Sequence, residues 1–401
     1  MMSKIFYILF FLHILISNAT SQRNVGDRCA DEQTNTLGVC KPAQECQSAK
    51  IAAQRNGIQP TFCAYNPFGS VLVCCLDDSS ILKTAPANVD QRPIWGNRDD
   101  SRRTSERNCE EYSRGVVERV DYIPLVPDPE AFSITAAKCD YAGVELIVGG
   151  ENAIQGEFPH MAAIGWANFE GGYSFVCGGS LISPRFVLTA GHCIKYNNAK
   201  DPDPVVIRLG DQNIDPTVND GADPIDVPIR RIIKHPDYKP PKVYNDIALI
   251  EMASDVDFSK TIRPACLWTR SDFGGHNKAL ATGWGVTDTR TGEASKELQK
   301  VSLSLLKNSR CDKFLEIFKN RKWDGFVPSQ MCAGELRGGK DTCQGDSGSP
   351  LQVVSTDNQC IFYVIGVTSF GRSCAEAGHP AVYTRVSSYL DWIESIVWAG
   401  E

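Results

Sequence analysis

The sequence predicts a mostly β protein, with two antiparallel barrels, a C-terminal helix and a small disulfide-rich domain that precedes them. After residue 150, short β-like runs such as 205–209, 247–250 and 364–369 are separated by glycine and proline turns, a pattern typical of barrels. Apolar residues at helical spacing over 386–397 predict a helix packed on the second barrel. Six cysteines within 29–75, with few large apolar side chains, indicate a domain held by disulfides.

The composition indicates a secreted protein with more than one domain. The chain has 401 residues, and its sixteen cysteines imply an oxidising compartment. An apolar run at 5–16 follows a lysine and precedes small residues. We therefore predict a signal peptide over 1–21, cleaved after Ala19 or Ser21; the alternative, a membrane anchor, needs a longer run. The net charge of −7 includes no basic stripe, so we expect no nucleic-acid partner.

Four parts are predicted in order along the chain. After the signal peptide come the disulfide-rich domain at 28–75, a linker at 76–146 and the barrels at 147–401. Zinc binding is an alternative for the cysteine-rich part, but this part has no histidine and no Cys-x-x-Cys pair. Within the linker, 88–108 is rich in polar residues and 123–129 contains three prolines. We expect this segment to be extended and partly disordered.

Three short motifs contain the side chains needed for nucleophilic catalysis. Ser347 lies in a Gly-Asp-Ser-Gly turn at 345–348, and a serine hydroxyl attacks only when a base removes its proton and an oxyanion is stabilised. The flanking glycine would let the N–H groups of Gly345 and Ser347 converge on that oxyanion. His192 lies in Thr-Ala-Gly-His-Cys, and Asp246 in Asn-Asp-Ile-Ala-Leu. The order His, Asp, Ser is that of one class of serine peptidases.

With these motifs, residues 147–398 resemble the chymotrypsin-like serine peptidases. The resemblance implies a trypsin-like fold of two six-stranded barrels, with His192 as general base, Asp246 as its orienting partner and Ser347 as nucleophile. The six cysteines before residue 76 are similar in spacing to the clip domain of arthropod serine proteases. Leu146, Cys-Glu-Glu-Tyr at 109–112 and the run at 366–371 resemble the snake- and persephone-like branch.

The resemblance also implies disulfide pairs. They are Cys29–Cys74, Cys40–Cys63 and Cys46–Cys75 in the clip domain, and Cys177–Cys193, Cys311–Cys332 and Cys343–Cys374 in the peptidase domain. Four cysteines remain. Cys139–Cys266 follows the family pattern for a tether, and Cys109–Cys360 follows by elimination. We therefore expect the cut protein to be a disulfide-linked two-chain molecule.

An activation site is implied at Leu-Ile-Val-Gly-Gly, residues 146–150. In the family, cleavage before Ile147 creates an ammonium group that turns inward and pairs with Asp346. Such a buried pair is stable only when both charges are present. Leu146 is not basic, which argues against self-activation and for an upstream protease that accepts an apolar residue.

Specificity is assigned by resemblance to Asp341, six residues before the nucleophile, which would lie at the base of the primary pocket and bind Arg or Lys. Gly371 would form one wall, and Ala381 stands at the other wall, where glycine is usual, and narrows the pocket. Phe370 replaces the usual tryptophan, and Ser349 replaces a common glycine, a change that we expect to be tolerated.

No cofactor is required by this chemistry. Oxygen-bearing residues crowd the loop at 211–223, where related peptidases bind calcium. They are Asp211, Asn213, Asp215, Asn219, Asp220 and Asp223. The spacing departs from the trypsin-type pattern and Pro224 follows it, so a plain solvated loop is the favoured alternative to a structural calcium site.

The function implied by the resemblance is that of a secreted endopeptidase zymogen in haemolymph. It would be activated by an upstream protease and would cleave a downstream protease zymogen after Arg or Lys, in innate immunity (Toll activation or melanisation) or development. A serpin is the expected inhibitor. The alternatives are a non-catalytic clip-domain adaptor, which would usually lack the serine, and a digestive trypsin, which would not explain the clip domain or Leu146.

Overall fold

A computed structural model provides the structure. It describes residues 28–30, 37–43, 46, 60–65, 71–76, 102–122, 132–137, 139, 150–288, 293–338, 345–356, 358–371 and 378–401. The predicted signal peptide lies outside these ranges, as do Leu146, Ile147, Asp341 and the predicted pair Cys343–Cys374. The chain divides into two compact units, Met1–Asp99 and Asp100–Glu401.

The first unit contains a four-stranded antiparallel sheet held by disulfides. Its strands are β1 (Arg28–Ala30), β2 (Leu37–Pro42), β3 (Phe62–Tyr65) and β4 (Val71–Leu76), in the order β1-β2-β4-β3. The three clip-domain pairs, Cys29–Cys74, Cys40–Cys63 and Cys46–Cys75, are confirmed. Their sulfurs are central to the small core, because the buried apolar side chains in the described part of this unit are mostly half-cystines, with a few others such as Leu72.

The second unit begins with linker elements. These are α1 (Thr104–Ser113), a 3₁₀ turn (Arg114–Val116) and the antiparallel hairpin of β5 (Val117–Tyr122) and β6 (Phe132–Ala137). The prediction of an extended chain over 88–108 is therefore wrong for 104–108. Contacts distant in sequence stabilise α1: Glu394 accepts hydrogen bonds from the Arg103 guanidinium (2.8 Å) and from the buried Ser105 hydroxyl (2.6 Å). Polar composition alone could not reveal that anchor.

A closed antiparallel barrel follows the short strand β7 (Glu151–Asn152). Its six strands are β8 (Met161–Ala167), β9 (Tyr173–Leu181), β10 (Phe186–Thr189), β11 (Val206–Leu209), β12 (Ile225–Lys234) and β13 (Ala248–Met252). They close in the order β10-β13-β12-β11-β8-β9. The interior is filled by fully buried aliphatic side chains, including Ile164, Leu181, Ile207 and Ile250, as expected for a small barrel.

Nine further strands lie among the described residues in the second half of this unit. They are β14 (Cys266–Leu267), β15 (Lys278–Gly283), β16 (Val286–Asp288), β17 (Glu293–Ala294), β18 (Gln299–Leu306), β19 (Gln330–Ala333), β20 (Pro350–Val354), β21 (Phe362–Phe370) and β22 (Ala381–Arg385). Six of them close a second barrel in the order β21-β20-β15-β18-β19-β22, because β22 pairs back to β21. The predicted pair of six-stranded barrels is confirmed. In addition, β14 pairs with β21 in parallel, and β7 pairs with β18.

The described part of this unit includes two more helices. They are α2 (Asn308–Leu315), followed by a 3₁₀ turn (Glu316–Phe318), and α3 (Leu390–Val397), preceded by a 3₁₀ turn (Val386–Ser388). The predicted C-terminal helix is confirmed, and it buries Leu390 and Ile393 in the core. None of the helices in the described ranges is both long and apolar enough to cross a membrane.

Two linker disulfides differ from the expectation. Cys109 pairs with Cys266, and Cys139 with Cys360, so the predicted pairs Cys139–Cys266 and Cys109–Cys360 are wrong. The parallel pairing of β14 with β21 places Cys266 opposite Tyr363, three residues after Cys360 along the chain. The predicted and the observed pairings both satisfy the cysteine count. The docking of α1, which carries Cys109, decides between them. The pairs Cys177–Cys193 and Cys311–Cys332 are confirmed.

Candidate active site

The histidine and aspartate motifs meet in the first barrel. His192 lies in a 3₁₀ turn (Gly191–Ile194) just after β10, and Cys177–Cys193 ties that turn to β9. Asp246 directly precedes the apolar strand segment that includes β13. One of its carboxylate oxygens accepts a hydrogen bond from the His192 backbone N–H (2.8 Å), and the other lies 2.8 Å from His192 Nδ1. The carboxylate thus fixes both the backbone and the ring of His192.

The second barrel supports the same aspartate. Ser369, on β21, donates its hydroxyl to Asp246 Oδ2 at 2.5 Å, and Thr384, on β22, donates to the Asp246 carbonyl at 2.8 Å. Asn245 has a positive φ of 53°, and its side-chain oxygen accepts a hydrogen bond from the Tyr389 hydroxyl (2.8 Å). These partners hold Asp246, which is 1% exposed, as an oriented carboxylate whose oxygens make three contacts, with His192 N–H, His192 Nδ1 and the Ser369 hydroxyl.

The electrostatics favour a basic imidazole. Burial lowers the pKa of His192, but the charge of Asp246 and its hydrogen bond to the ring raise it, and the net pKa is above the ordinary value. The side chain of His192 remains 33% exposed, in contrast to its buried partner. An oriented, partly accessible imidazole of this kind can accept a proton from a hydroxyl.

The serine turn lies between the two barrels. The Ser347 carbonyl accepts a hydrogen bond from Gly178 N–H on β9 (2.9 Å), and Gly348 N–H donates to Thr368 on β21 (2.9 Å). A side chain on Gly348 would collide with Thr189 Oγ1 at 2.2 Å. Residue 348 therefore packs against the end of β10, three residues before His192. The positive φ of Gly345 (99°) is a conformation that favours glycine.

Asp346 lies beside two glycines of the second barrel. Its Oδ1 accepts a hydrogen bond from Gly285 N–H (2.9 Å), and a side chain on Gly283 would meet the same oxygen at 2.2 Å. The predicted partner, Ile147, is outside the described residues, as is Leu146. The pairing of Asp346 with a new N-terminus therefore stays a prediction.

The two predicted pocket walls face each other. Gly371 directly follows β21, and Ala381 begins β22; a Cβ built on Gly371 would lie 3.8 Å from the Cβ of Ala381. Ala381 is buried, whereas Gly371 is exposed. Asp341, the predicted base of the pocket, is outside the described residues. The substrate roles of these three residues stay predictions, as do the catalytic roles of His192, Asp246 and Ser347.

Several supporting residues were missed at the sequence level. Ser369 and Thr384, the hydroxyl partners of Asp246, come from strands more than 120 residues away in sequence. In the sequence, the run at 366–371 indicates only a resemblance to one branch of the family. A hydroxyl in a buried strand gives little local signal, because its partner is set by the tertiary fold.

Some side-chain oxygens of the acidic loop at 211–223 already bind nearby residues of the protein. Asp211 pairs with Arg208 (3.4 Å), and Asp215 accepts two hydrogen bonds from Thr217. Burial, with a contribution from Asp220, raises the pKa of Asp211. A calcium site here stays a prediction. Among the described residues, the two groups of potential metal ligands that lie close together contain disulfide cysteines, which do not act as thiolate ligands.

Comparisons with known proteins agree with the fold described above. The family model "Trypsin" matches residues 147–393. "Serine protease snk" of Drosophila melanogaster is 35% identical over 93% of this chain and 79% of its own length. "Proclotting enzyme" of Tachypleus tridentatus is 37% identical over 89% of this chain and 86% of its own. "CLIP domain-containing serine protease B4" of Anopheles gambiae is 33% identical over 75% and 83%.

Proposed function

The chain belongs to the trypsin family as an arthropod clip-domain serine protease, and on that premise we propose that it is a secreted zymogen that cleaves a downstream protease zymogen after Arg or Lys. The observation that supports catalysis best is the chain of contacts from Ser369 through Asp246 to His192, next to the turn that carries Ser347. All three side chains that acyl transfer requires are present, which favours an enzyme over a non-catalytic adaptor.

The proposed reaction is peptide-bond hydrolysis in two acyl transfers. His192 Nε2 takes the Ser347 hydroxyl proton as Ser347 Oγ attacks the substrate carbonyl, and the N–H groups of Gly345 and Ser347 stabilise the oxyanion. Asp246 holds Nδ1 protonated and stabilises the imidazolium. His192 then gives its proton to the leaving amine, which departs and leaves an acyl-Ser347 ester. Water attacks this ester with His192 again acting as base, and Ser347 is released.

Activation would follow from cleavage after Leu146. The Ile147 ammonium would pair with Asp346, whose carboxylate lies at Gly283 and Gly285, and so order the adjoining oxyanion turn. The cleaving protease must accept an apolar residue at the cut. Arg or Lys specificity would come from Asp341 between the walls at Gly371 and Ala381, with Ala381 narrowing the pocket.

The proposed setting is an extracellular cascade in haemolymph. The names of two relatives, "Proclotting enzyme" and a CLIP-domain serine protease, support a protease that acts on other proteins. Seven disulfides among the described residues fit an oxidising compartment. We place it in innate immunity (Toll activation or melanisation) or development, with an upstream activating protease and a serpin inhibitor as partners.

Substitution of Leu146 by arginine provides the test, because immobilised trypsin can then make the activating cut. We expect the cut L146R protein to hydrolyse arginyl and lysyl esters and to react with an organophosphorus serine reagent, whereas the uncut protein does neither. Sequencing of the new N-terminus must give Ile-Val-Gly-Gly. If the correctly cut protein does not react with the reagent, it is an adaptor; if it degrades unfolded proteins broadly, it is a digestive enzyme.

The two linker disulfides predict how the cut chains behave. Both Cys109–Cys266 and Cys139–Cys360 cross the cut, so non-reducing denaturing electrophoresis of the cut protein should show one species and reducing conditions two. Removal of one pair, C109S with C266S or C139S with C360S, should keep the chains joined. Only the quadruple variant should release them. Release by either double variant alone would contradict these pairings.

The raised pKa of His192 predicts the pH range in which activity is lost on the acid side. The base works only when neutral, so kcat/KM of the cut enzyme should fall as pH drops through an apparent pKa above the ordinary 6.5. In D246N the charge that raises this pKa is gone, so the acid limb of this pH profile should move to lower pH while kcat falls by about 10⁴-fold. An unchanged limb in D246N would show that Asp246 does not set the pKa of His192.

A further inference from the structure

Two surface loops beside the candidate active site carry an excess of positive charge. The first contains Lys239 and Lys242, the second Arg321 and Lys322, and all four residues are exposed. We call these four residues the basic rim. Among the described residues, none of the four forms an ion pair with a carboxylate. Their neighbour Lys319, in contrast, is paired with Asp312 (3.4 Å) and Glu316 (2.7 Å).

The two loops form one surface. Val243 N–H donates to the Lys322 carbonyl (3.2 Å), and the Tyr244 hydroxyl donates to the Gly325 carbonyl (3.0 Å) while accepting from Asp324 N–H (2.7 Å). These hydrogen bonds join the segment before Asn245 to the segment that follows α2. The four cations are therefore held on a common rim and do not belong to independent loops.

This surface lies beside the predicted pocket wall at Gly371. Trp323, which lies between Lys322 and Asp324, is buried with its ring 5.6 Å from that of Phe370. Phe370 immediately precedes the pocket wall Gly371. On the other loop, Val243 and Tyr244 pack in the same apolar cluster and lead directly into Asn245 and Asp246. A substrate segment lying along Phe370 would pass beside the rim.

The charge balance favours an acidic occupant. Asp237 and Asp324 are the two acidic residues within 237–242 and 319–324. The four cations of the basic rim outnumber them, so these segments have a net positive charge. The whole chain has a net charge of −7, so an acidic partner is repelled in general and attracted at this rim. Such complementarity orients a partner and raises its association rate more than it adds affinity.

We propose that the basic rim selects protein substrates with acidic residues next to the cleaved Arg or Lys, on the flank that contacts Phe370. This inference rests on the proposed function and names the substrate class for the same site. The attraction is between exposed charges, so each contact contributes a few-fold in rate at low salt and is screened as salt is raised.

The test uses the cut full-length protein and internally quenched peptides that contain one arginine. An Asp-Glu pair, or the uncharged Asn-Gln pair, is placed before or after the arginine. On the flank that contacts Phe370, we expect kcat/KM at 50 mM salt to be about tenfold higher for the acidic peptide than for the neutral peptide. At 0.5 M salt, the two values should lie within about threefold of each other. In R321Q/K322Q, the preference for the acidic peptide should shrink to about twofold. In K242Q, it should also shrink, but less.

The matched control is K307Q, which removes an exposed lysine next to the far end of α2 and should leave the preference unchanged. Thermal unfolding of each variant shows whether a change in preference comes from the removed charges or from loss of the folded structure. Absence of an acidic preference in the wild-type enzyme, or a preference that R321Q/K322Q and K242Q retain, would overturn the inference. If the neutral peptide is not cleaved at all, the proposed function fails, and this inference fails with it.

Discussion

Replacement of Ser347 by alanine is expected to lower kcat/KM of the cut protein by about 10⁴-fold or more, because the nucleophile is lost while the site around it remains. The fold should not change. The contacts that hold the turn are made by backbone groups, from Gly178 to the Ser347 carbonyl and from Gly348 to Thr368, and alanine retains them. Residual activity would come from substrate binding and the oxyanion N–H groups.

Ser349→Ala is the matched control, because it removes a hydroxyl two residues away. Ser349 is fully buried, and its Oγ has no hydrogen-bond partner among the described residues. Its backbone N–H, which donates to the Asp346 carbonyl (3.0 Å), is unaffected. We expect S349A to keep its activity and at least its wild-type stability, since an unpaired buried hydroxyl costs free energy.

Labelling by an organophosphorus reagent distinguishes the two variants directly. S349A should incorporate one equivalent after activation, and S347A none. Stoichiometric labelling of S347A would mean that another residue is the nucleophile. Loss of labelling in S349A alone, with its fold intact, would mean that the hydroxyl at 349 supports the oxyanion turn, contrary to the tolerance expected from the sequence.

Sequence motifs identified the centre of the site because the chemistry constrains them locally. A histidine in Ala-Gly-His-Cys and a serine between glycines need particular neighbours for their backbone geometry, and those neighbours are visible in sequence. The barrels were predictable for a similar reason, since alternating short strands and turns are local patterns. What remained open was which distant elements meet. Ser369 reaches Asp246 only because β21 of the second barrel runs beside the first.

The linker disulfides also depend on contacts between distant elements, which local sequence patterns do not reveal. Cysteine counts required two bonds from the linker to the peptidase domain, and the structure has two, but with exchanged partners. The exchange follows from α1, which places Cys109 beside β14. Helix α1 is itself stabilised by Arg103 and Ser105 binding Glu394, 289 residues or more away. No local pattern in 88–108 contains that information.

A buried ion pair should make Lys300 one of the most sensitive residues in the peptidase domain. Its Nζ lies 2.8 and 3.0 Å from the two carboxylate oxygens of Glu157, which is fully buried; the side chain of Lys300 is 7% exposed. Glu157 also accepts a hydrogen bond from Ile154 N–H (2.8 Å). We expect K300M to lower the free energy of unfolding by about 3–5 kcal/mol, because it leaves a carboxylate buried without its cation.

The double variant E157Q/K300M tests that cause. It removes the charge as well as its partner, and a glutamine oxygen can still accept the Ile154 N–H, so most of the lost stability should return. The comparison variant is K319M, which breaks the ion pairs of Lys319 with Asp312 and Glu316, whose carboxylates are 35% and 65% exposed, and it should cost at most about 1 kcal/mol. Chemical denaturation of the four proteins, wild type included, measures all three differences.

The same pair bears on activation through the segment that contains Glu157. Strand β7 pairs with β18, with Glu151 opposite Lys300 itself, and β7 follows the predicted new N-terminus by only a few residues. A loosened segment would leave the Ile147 ammonium less often paired with Asp346, so cut K300M should also lose activity, and E157Q/K300M should recover part of it. If K300M unfolds within about 1 kcal/mol of wild type, the ion pair does not hold this segment, and the expected loss of activity has no basis.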